Sequence, residues 1–440
     1  MAVATATAST WELQRAPKYA SHGVVRTVPP AETIRRVTPL MPTIGVTRVA
    51  EVTGLDRVGI PNFTAVRPRE LGEGISYYNG KGLTRLAAHA GALMEAVERQ
   101  AAEFCDLPIF YGTFAEAQQQ AAAVDPAEII VPRTTDYLPE MRLEWVEGYD
   151  ILSGKPTYLP LNTVVCPYEP PAGRINLFFA SSNGLASGNT MEEALCHALC
   201  EVIERDATAV SDTSKTLAPT VGSLLAKMGL PTSATVSKKT SIGRLVDVDS
   251  LPPRALTLVR RLRRARLLVY LRDVTSTCRI PTFDCSIVER RLDGRHLVHG
   301  GAGSHPDARV AVTRALTEAA QSRVGHIQGG REDLDRIVGT PPPFDPEELF
   351  GGGELVDFSS VKSYEHEYID DEIRFLLTRL REDGFTQVVV VDMTRPDVGV
   401  PVVRVVIPRT EAWSVFFQHA RSATFGDRVG QVLRQAVLGQ

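Results

Sequence analysis

Cysteine is sparse in this chain: six in 440 residues, at positions 105, 166, 196, 200, 278 and 285, and no two stand at CxxC spacing. Cys196, His197 and Cys200 could share a helix, but no second ligand pair at zinc spacing stands elsewhere. The six therefore read as buried, reduced thiols of a cytosolic protein. Long apolar runs are also missing: no stretch approaches the roughly eighteen consecutive residues of a membrane helix. The opening MAVATATAST has neither a basic region nor the apolar core of a signal peptide. The expected location is the cytoplasm, with no membrane partner.

An excess of one charge is missing too. Lys and Arg number 48 against 52 Asp and Glu, for a formal net charge of -4, and the basic residues are scattered. That excludes the concentrated basic face of a nucleic-acid protein. The common catalytic signatures do not occur either. There is no GxxxxGK[ST] phosphate loop, no kinase signature set and no GxSxG elbow. Any nucleotide site has to be of an unconventional kind.

What remains is an ordinary globular composition, 43% hydrophobic and 23% charged, long enough to bury a sizeable core. Helical and strand patterns interleave without an even βαβ rhythm, which predicts an α+β fold. AETIRRVTPLMPTIG reads as a short helix closed by Gly45, ending an N-terminal arm over residues 1–45 that precedes one domain over 46–440. GKGLT reads as a turn into a long helix from about Thr84 to Phe104. SSNGLASGNT is a small-residue loop feeding a second long helix, which the capping-box spacing of Thr190 and Glu193 starts. Residues 212–250, with TSATVSKKTSIG, read as a mobile loop, and HGGAGSHPDARV as a glycine-rich turn into a third helix over about Asp307–His326. VTRVAEVTG, AVRP, LEWVEGYDI, RARLLVYLRDV, TFDCSIVER, TQVVVVDM and VPVVRVVIP carry the β-branched patterning of strands.

One phrase is written twice: ALMEAVER at 92–99 and ALCEVIER at 198–205. Residues three apart share a helix face, so Glu95 projects with Glu98, and Glu201 with Glu204. Leu93, Met94 and Val97 frame one pair, and Leu199, Val202 and Ile203 the other. Carboxylates crowded this close to a core repel each other and lose hydration, an arrangement that hard cations such as magnesium relieve. A single ExxER reads as well as a solvated face with local Glu–Arg pairs. Two copies in matching apolar frames set the metal site beside that reading as its alternative. Arg314, Glu318 and Gln321 form a polar stripe on the third helix, suited to phosphate and metal or simply to solvent. A di-iron bundle is disfavoured, because the residues three beyond Glu95 and Glu201 are glutamates, not histidines.

These blocks, with EVTGLDRVGIPNFTAVRP, GKGLTRLAAHAGALMEAVER, SNGLASGNTMEEALCHALCEVIERDA and GGAGSHPDARVAVTRALTEAAQSR in this order, resemble the YcaO family. The resemblance spans nearly the whole chain. It implies a YcaO-type fold, with mixed sheets and long acidic helices lining a magnesium–ATP site. The implied activity is activation of a peptide backbone amide by ATP, with phosphorylation of the amide oxygen. A neighbouring side chain or an amine attacks the amide carbon, and departure of phosphate then gives an azoline or a macroamidine on a ribosomally made precursor peptide. Thioamide formation with a sulfur donor and a TfuA-type partner is the alternative. A silent peptide-binding or scaffold protein is the alternative of a different class.

By the same resemblance Glu95, Glu98, Glu201 and Glu204 match magnesium-binding positions. Asn183, Arg205 and Gln321 match ATP-contacting ones, with Arg314 and Glu318 as companions and Lys18 as a looser match. Two departures stand out. Gly91 occupies a nucleotide-facing position where many relatives carry serine, and the ending RQAVLGQ lacks the proline-rich terminus of azoline-forming members. With no fused partner or leader-binding domain in view, the expectation is a stand-alone enzyme, a homo-oligomer being left open. The sequence assigns no catalytic base; His89, His197, His299 and His305 are candidates by position alone.

Overall fold

Among the described residues, every segment with strand patterning falls in one of four sheets. The computed structural model describes residues 11–21, 24–68, 76–103, 106–129, 136–178, 180–213, 217–230, 243–292, 294–329, 345–412 and 426–438. Strands β1 (Tyr19–Ser21) and β2 (Val24–Arg26) form a hairpin. Strands β3 (Arg48–Glu51), β4 (Asn62–Val66) and β5 (Tyr77–Lys81) form an antiparallel sheet.

The seven-stranded sheet contains β6 (Ile109–Gly112), β7 (Ala122–Ala123), β8 (Leu143–Asp150), β9 (Lys155–Pro160), β10 (Leu185–Ser187), β16 (Val389–Asp392) and β17 (Val402–Val406). Its path runs β10-β17-β16-β8-β9-β7, with β6 paired to β8. The fourth sheet runs β14-β13-β12-β11-β15, built from β11 (Arg244–Val246), β12 (Leu267–Asp273), β13 (Thr282–Arg290), β14 (His296–Ser304) and β15 (Leu355–Val356).

The helices are α1 (Pro30–Val37), α2 (Arg85–Ala101), α3 (Phe114–Gln120), α4 (Met191–Asp212) and α5 (Ala218–Lys227). They continue with α6 (Pro253–Arg264), α7 (Ala308–Gln328), α8 (Pro346–Phe350), α9 (Ile369–Glu382) and α10 (Asp427–Leu438). Interleaved helices on mixed sheets give the expected α+β class. Each of the three long helices buries its apolar face in a different core: α2 between the β3–β5 sheet and the large sheet, α4 between the large sheet and α9, and α7 on the β12–β14 sheet. The apolar frames of the two acidic phrases are thus packed against sheets, which fixes where their carboxylates point.

Four sequence expectations change. HGGAGS is strand, the end of β14, because Gly301 and Gly303 let it lie flat on α7: a Cβ at Gly301 would meet Ala319 N at 2.1 Å, and one at Gly303 would meet Ala311 O at 2.1 Å. SSNGLASGNT holds β10 within it. The first helix stops at Val37 and gives way to a 3-10 turn over Thr38–Leu40 before Gly45, whose φ of +81° closes the segment. Within 212–250, α5, β11 and a 3-10 turn (Val248–Ser250) are formed. Residues 214–216 and 231–242, and also Cys105, lie outside the described residues.

Candidate functional site

The acidic pair of α4 is set by how that helix begins. Thr190 caps it, its hydroxyl accepting the Glu193 N–H at 3.2 Å. The reciprocal half of a capping box is not made. The Glu193 carboxylate instead takes Asn189 Nδ2 at 2.9 and 3.1 Å, the Thr27 N–H at 2.9 Å and Arg26 Nη1 at 3.1 Å, stapling the N-terminal segment to α4. Helix α2 starts in a similar way, with the Thr84 hydroxyl accepting the Ala87 N–H at 3.1 Å.

The two acidic phrases converge through strands, with both helices packed on β10 and β17. The Ser187 N–H on β10 donates to Glu98 Oε2 at 3.0 Å. Helix α7 and strand β14 close the third side. Ser304 N–H donates to Glu204 Oε2 at 3.0 Å, and Ala302 N–H to Glu318 Oε1 at 3.4 Å. Lys81 Nζ lies 2.6 Å from Glu318 Oε2, and the Gln321 side-chain amide donates to the Asn79 carbonyl, so α7 also grips β5. Arg99 stands 3.9 Å from Glu95 and Arg205 4.0 Å from Glu201, loose pairs one helical turn on.

The electrostatics show carboxylates short of cations. Burial, reinforced by Glu201 and Glu95 and opposed by Arg99, pushes Glu98 up to about 8. Burial also raises Glu201, with Glu318 adding to it and Arg205, Arg99 and Arg314 opposing. Glu204 is raised by burial and by Glu318. Glu318 goes the other way: burial is outweighed by Lys81 and Arg205, which hold it ionised. Buried carboxylates whose ionisation is disfavoured are relieved by a hard divalent cation, which takes oxygen ligands. Glu98, Glu201 and Glu204, with Glu95 acting on Glu98, supply the chemistry such an ion needs.

The neighbouring arginines fit a polyanion. Asn183 Oδ1 is of another kind: buried with no hydrogen-bond partner, it is an acceptor for a hydroxyl or amino donor, not for a phosphate. Arg205 sits among Glu201, Glu204 and Glu318, and Arg314 acts on Glu201 and Glu204.

Two site residues escape sequence reading. Lys81 was hidden in a segment read as a turn, and Arg404 lies in the apolar strand VVRVV of β17. Arg404 is 4% exposed; its Nε donates to the Thr163 carbonyl at 2.9 Å, its Nη1 has no partner, and it acts on Glu201 and Glu98. An arginine interrupting a buried apolar run was the available signal.

Other candidates sit elsewhere. Lys18 is ion-paired with Glu372 of α9, beside His305 and Cys196. Cys196 Sγ, His305 and Glu372 bring ligand atoms within 4.8 Å of one another, donors too far apart in sequence to be seen there. His305 Nδ1 accepts the Asp307 N–H at 3.0 Å, so the proton sits on Nε2, the atom a metal would need. Gly91 faces β5, where an added Cβ would lie 3.3 Å from Gly80 Cα. His89 stacks on Phe63 at 4.8 Å. His197 is held well below the usual histidine range by burial and Arg314, and His299 is brought to about 4 by burial and Arg323.

A family model described as YcaO cyclodehydratase, ATP- and Mg2+-binding, matches residues 79–411. An uncharacterized protein of Methanothermobacter thermautotrophicus is 35% identical over 423 residues, 93% of this chain and 99% of its own. A Rhizobium leguminosarum bv. trifolii protein encoded in the tfuA 3' region is 32% identical, over 91% of this chain and 92% of its own. Among solved structures, YcaO from Methanopyrus kandleri bound with AMPPCP and Mg2+ superposes with a TM-score of 0.66 at 25% identity, covering 93% of this chain and 98% of that one. A heterocyclase in complex with substrate and cofactor shares the fold, with a TM-score of 0.72 at 20% identity over 91% of this chain and 54% of that one.

Proposed function

Because this chain belongs to the YcaO family of ATP- and Mg2+-binding cyclodehydratases, we propose that it activates a backbone amide of a ribosomally made peptide for cyclodehydration, to an azoline or a macroamidine. The observation that carries this reading is the convergence of Glu95, Glu98, Glu201 and Glu204, raised in pKa where they are buried, beside Arg205, Arg314 and the unpartnered Asn183 Oδ1. Mg2+ and ATP, when bound, supply a phosphoryl group to the amide oxygen, so that this oxygen can depart as phosphate.

The chain's own residues do the positioning. The four glutamates hold the metal; Arg205, Arg314 and Lys81 face the charge of the phosphates; Asn183 orients the nucleotide through its free carbonyl oxygen. Gln321 and Glu318 keep β5 and α7 in register around them. Lys18, tied to Glu372, reaches the nucleotide only if that buried pair opens.

The test is mass spectrometry of candidate precursor peptides incubated with protein, ATP and Mg2+. Loss of one water supports cyclodehydration. The second reading is thioamide formation with a TfuA-type partner, favoured by the similarity to the protein of the tfuA 3' region. With sulfide present it predicts a gain of about sixteen mass units, one oxygen replaced by one sulfur. No change in any peptide, with Mg·ATP bound normally, would leave the scaffold reading standing.

A further inference from the structure

Strand β14 is the end strand of its sheet and runs nine residues without a charged residue or a proline before it enters the carboxylate site. Exposed edges of this length are normally blunted by charge, proline or a bulge. In an antiparallel ladder backbone groups alternate in direction with period two. The Ala302 and Ser304 N–H groups point away from β13, into Glu318 and Glu204. Gly300 and Val298 therefore point their N–H and C=O groups the same way. Among the described residues nothing pairs with them, and both residues are exposed.

Gly300 adds an independent sign. Gly301 and Gly303 are required by contact with α7, but a Cβ at Gly300 would meet nothing within 4 Å, and its φ is not left-handed. A strand glycine that packing does not require marks a place where another backbone approaches.

We propose that the free edge of β14 at Val298 and Gly300 is the docking rail for the peptide substrate. An extended backbone adds there as a further strand and is led along Ala302 and Ser304 to the carboxylates. The occupant is an extended peptide, recognised through its main chain; the open space over Gly300 admits side chains of varied size. The inference rests on the functional reading above and adds where the substrate lies and in what conformation. It also explains why β14 ends on the site: the last two outward N–H groups of the same edge already hold two of its carboxylates.

The test uses Val298→Pro and Gly300→Pro, which remove outward N–H groups that the sheet does not use, with Gly300→Ala as the variant that keeps its N–H. The probe is a set of short peptides selected from a random library by the parent protein with Mg2+ and AMPPCP. Expected are an affinity loss of about tenfold in each proline variant, a similar loss on alternate N-methylation of the probe, and little change in Gly300→Ala. Equal affinity of the parent and the proline variants, with AMPPCP binding intact, overturns the rail and leaves the functional reading standing. Failure of the parent to bind AMPPCP with Mg2+ overturns that reading instead. A concentration-dependent dimer lost in the proline variants, with peptide affinity unmoved, would assign the edge to a second copy and overturn the peptide.

Discussion

The Glu204 carboxylate on α4 accepts the backbone N–H of Ser304, the last residue of β14, at 3.0 Å. One oxygen thus fastens a strand end while the side chain faces the proposed metal position. The two duties separate by substitution. Glu204→Gln keeps an acceptor for Ser304 but loses the charge, whereas Glu204→Ala leaves a buried N–H unpaired, costing about 1–3 kcal/mol. Both variants should lose Mg2+-dependent ATP binding, and the alanine variant alone should show a clearly lower denaturation midpoint. Unchanged nucleotide affinity in folded forms of both would remove Glu204 from the site.

Lys81 and Glu318 form a half-buried pair at 2.6 Å, 26% and 24% exposed. Without Lys81 the carboxylate loses the strongest influence holding it ionised. Lys81→Met should cost about 1 kcal/mol of stability, intermediate between a surface ion pair and a charge-assisted buried bond. If Lys81 also faces the phosphates, ATP affinity falls in the same variant while that for Mg2+ alone does not. Isothermal titration with each ligand separates the two effects.

How much of this was legible differs residue by residue. The glutamate pairs were, because i, i+3 spacing within an apolar frame fixes one face of a helix, and so was the start of α4 at Thr190. The partners were not. Ser187, Ala302 and Ser304 act through backbone N–H groups, which no side-chain pattern reveals. Glycine carries both turns and close-packed strands, so HGGAGS was read as a turn when only the face of α7 beneath it decides for strand. The Lys18–Glu372 pair joins residues 354 apart in sequence, a distance over which spacing carries no information.

The raised carboxylates set a pH dependence with a definite sign. Glu98 moves from an ordinary value near 4.5 to about 8, and Glu201 and Glu204 are raised as well. These carboxylates hold more protons in the folded protein than in the unfolded chain, so their contribution to ligand-free stability falls as pH rises from about 5 to about 8, opposed at the lower end by His197 and His299, which burial holds low. Mg2+ takes the ionised form, so its binding should release protons and its stabilising effect should grow over the same window. Thermal unfolding against pH, with and without Mg2+, reads both. Relative to Glu98→Gln, the ligand-free parent should lose stability as pH rises through this window. Parent and Glu98→Gln curves that run parallel over this range would contradict the picture.

Strand β5 crosses α2 at two glycines of unequal tolerance. A Cβ on Gly80 would meet the Ala88 carbonyl oxygen at 2.0 Å and Ala92 N at 2.1 Å, main-chain atoms in mid-helix that cannot give way. Gly80→Ala should cost about 3 kcal/mol or more. A Cβ on Gly91 lies 3.3 Å from Gly80 Cα and 3.7 Å from Lys81 N, a contact that a shift of a few tenths of an ångström relieves. Gly91→Ser also removes a glycine from a helix interior, worth about 0.5 kcal/mol in its favour, so its net effect on stability should stay within about 1 kcal/mol. The hydroxyl would stand beside β5 at Lys81, on the side of α2 where that lysine meets Glu318. If that side faces the nucleotide, one added hydrogen bond should tighten ATP binding by about two- to tenfold. A stable Gly91→Ser protein with unaltered ATP affinity would instead make position 91 a packing contact between α2 and β5, with no part in holding the nucleotide.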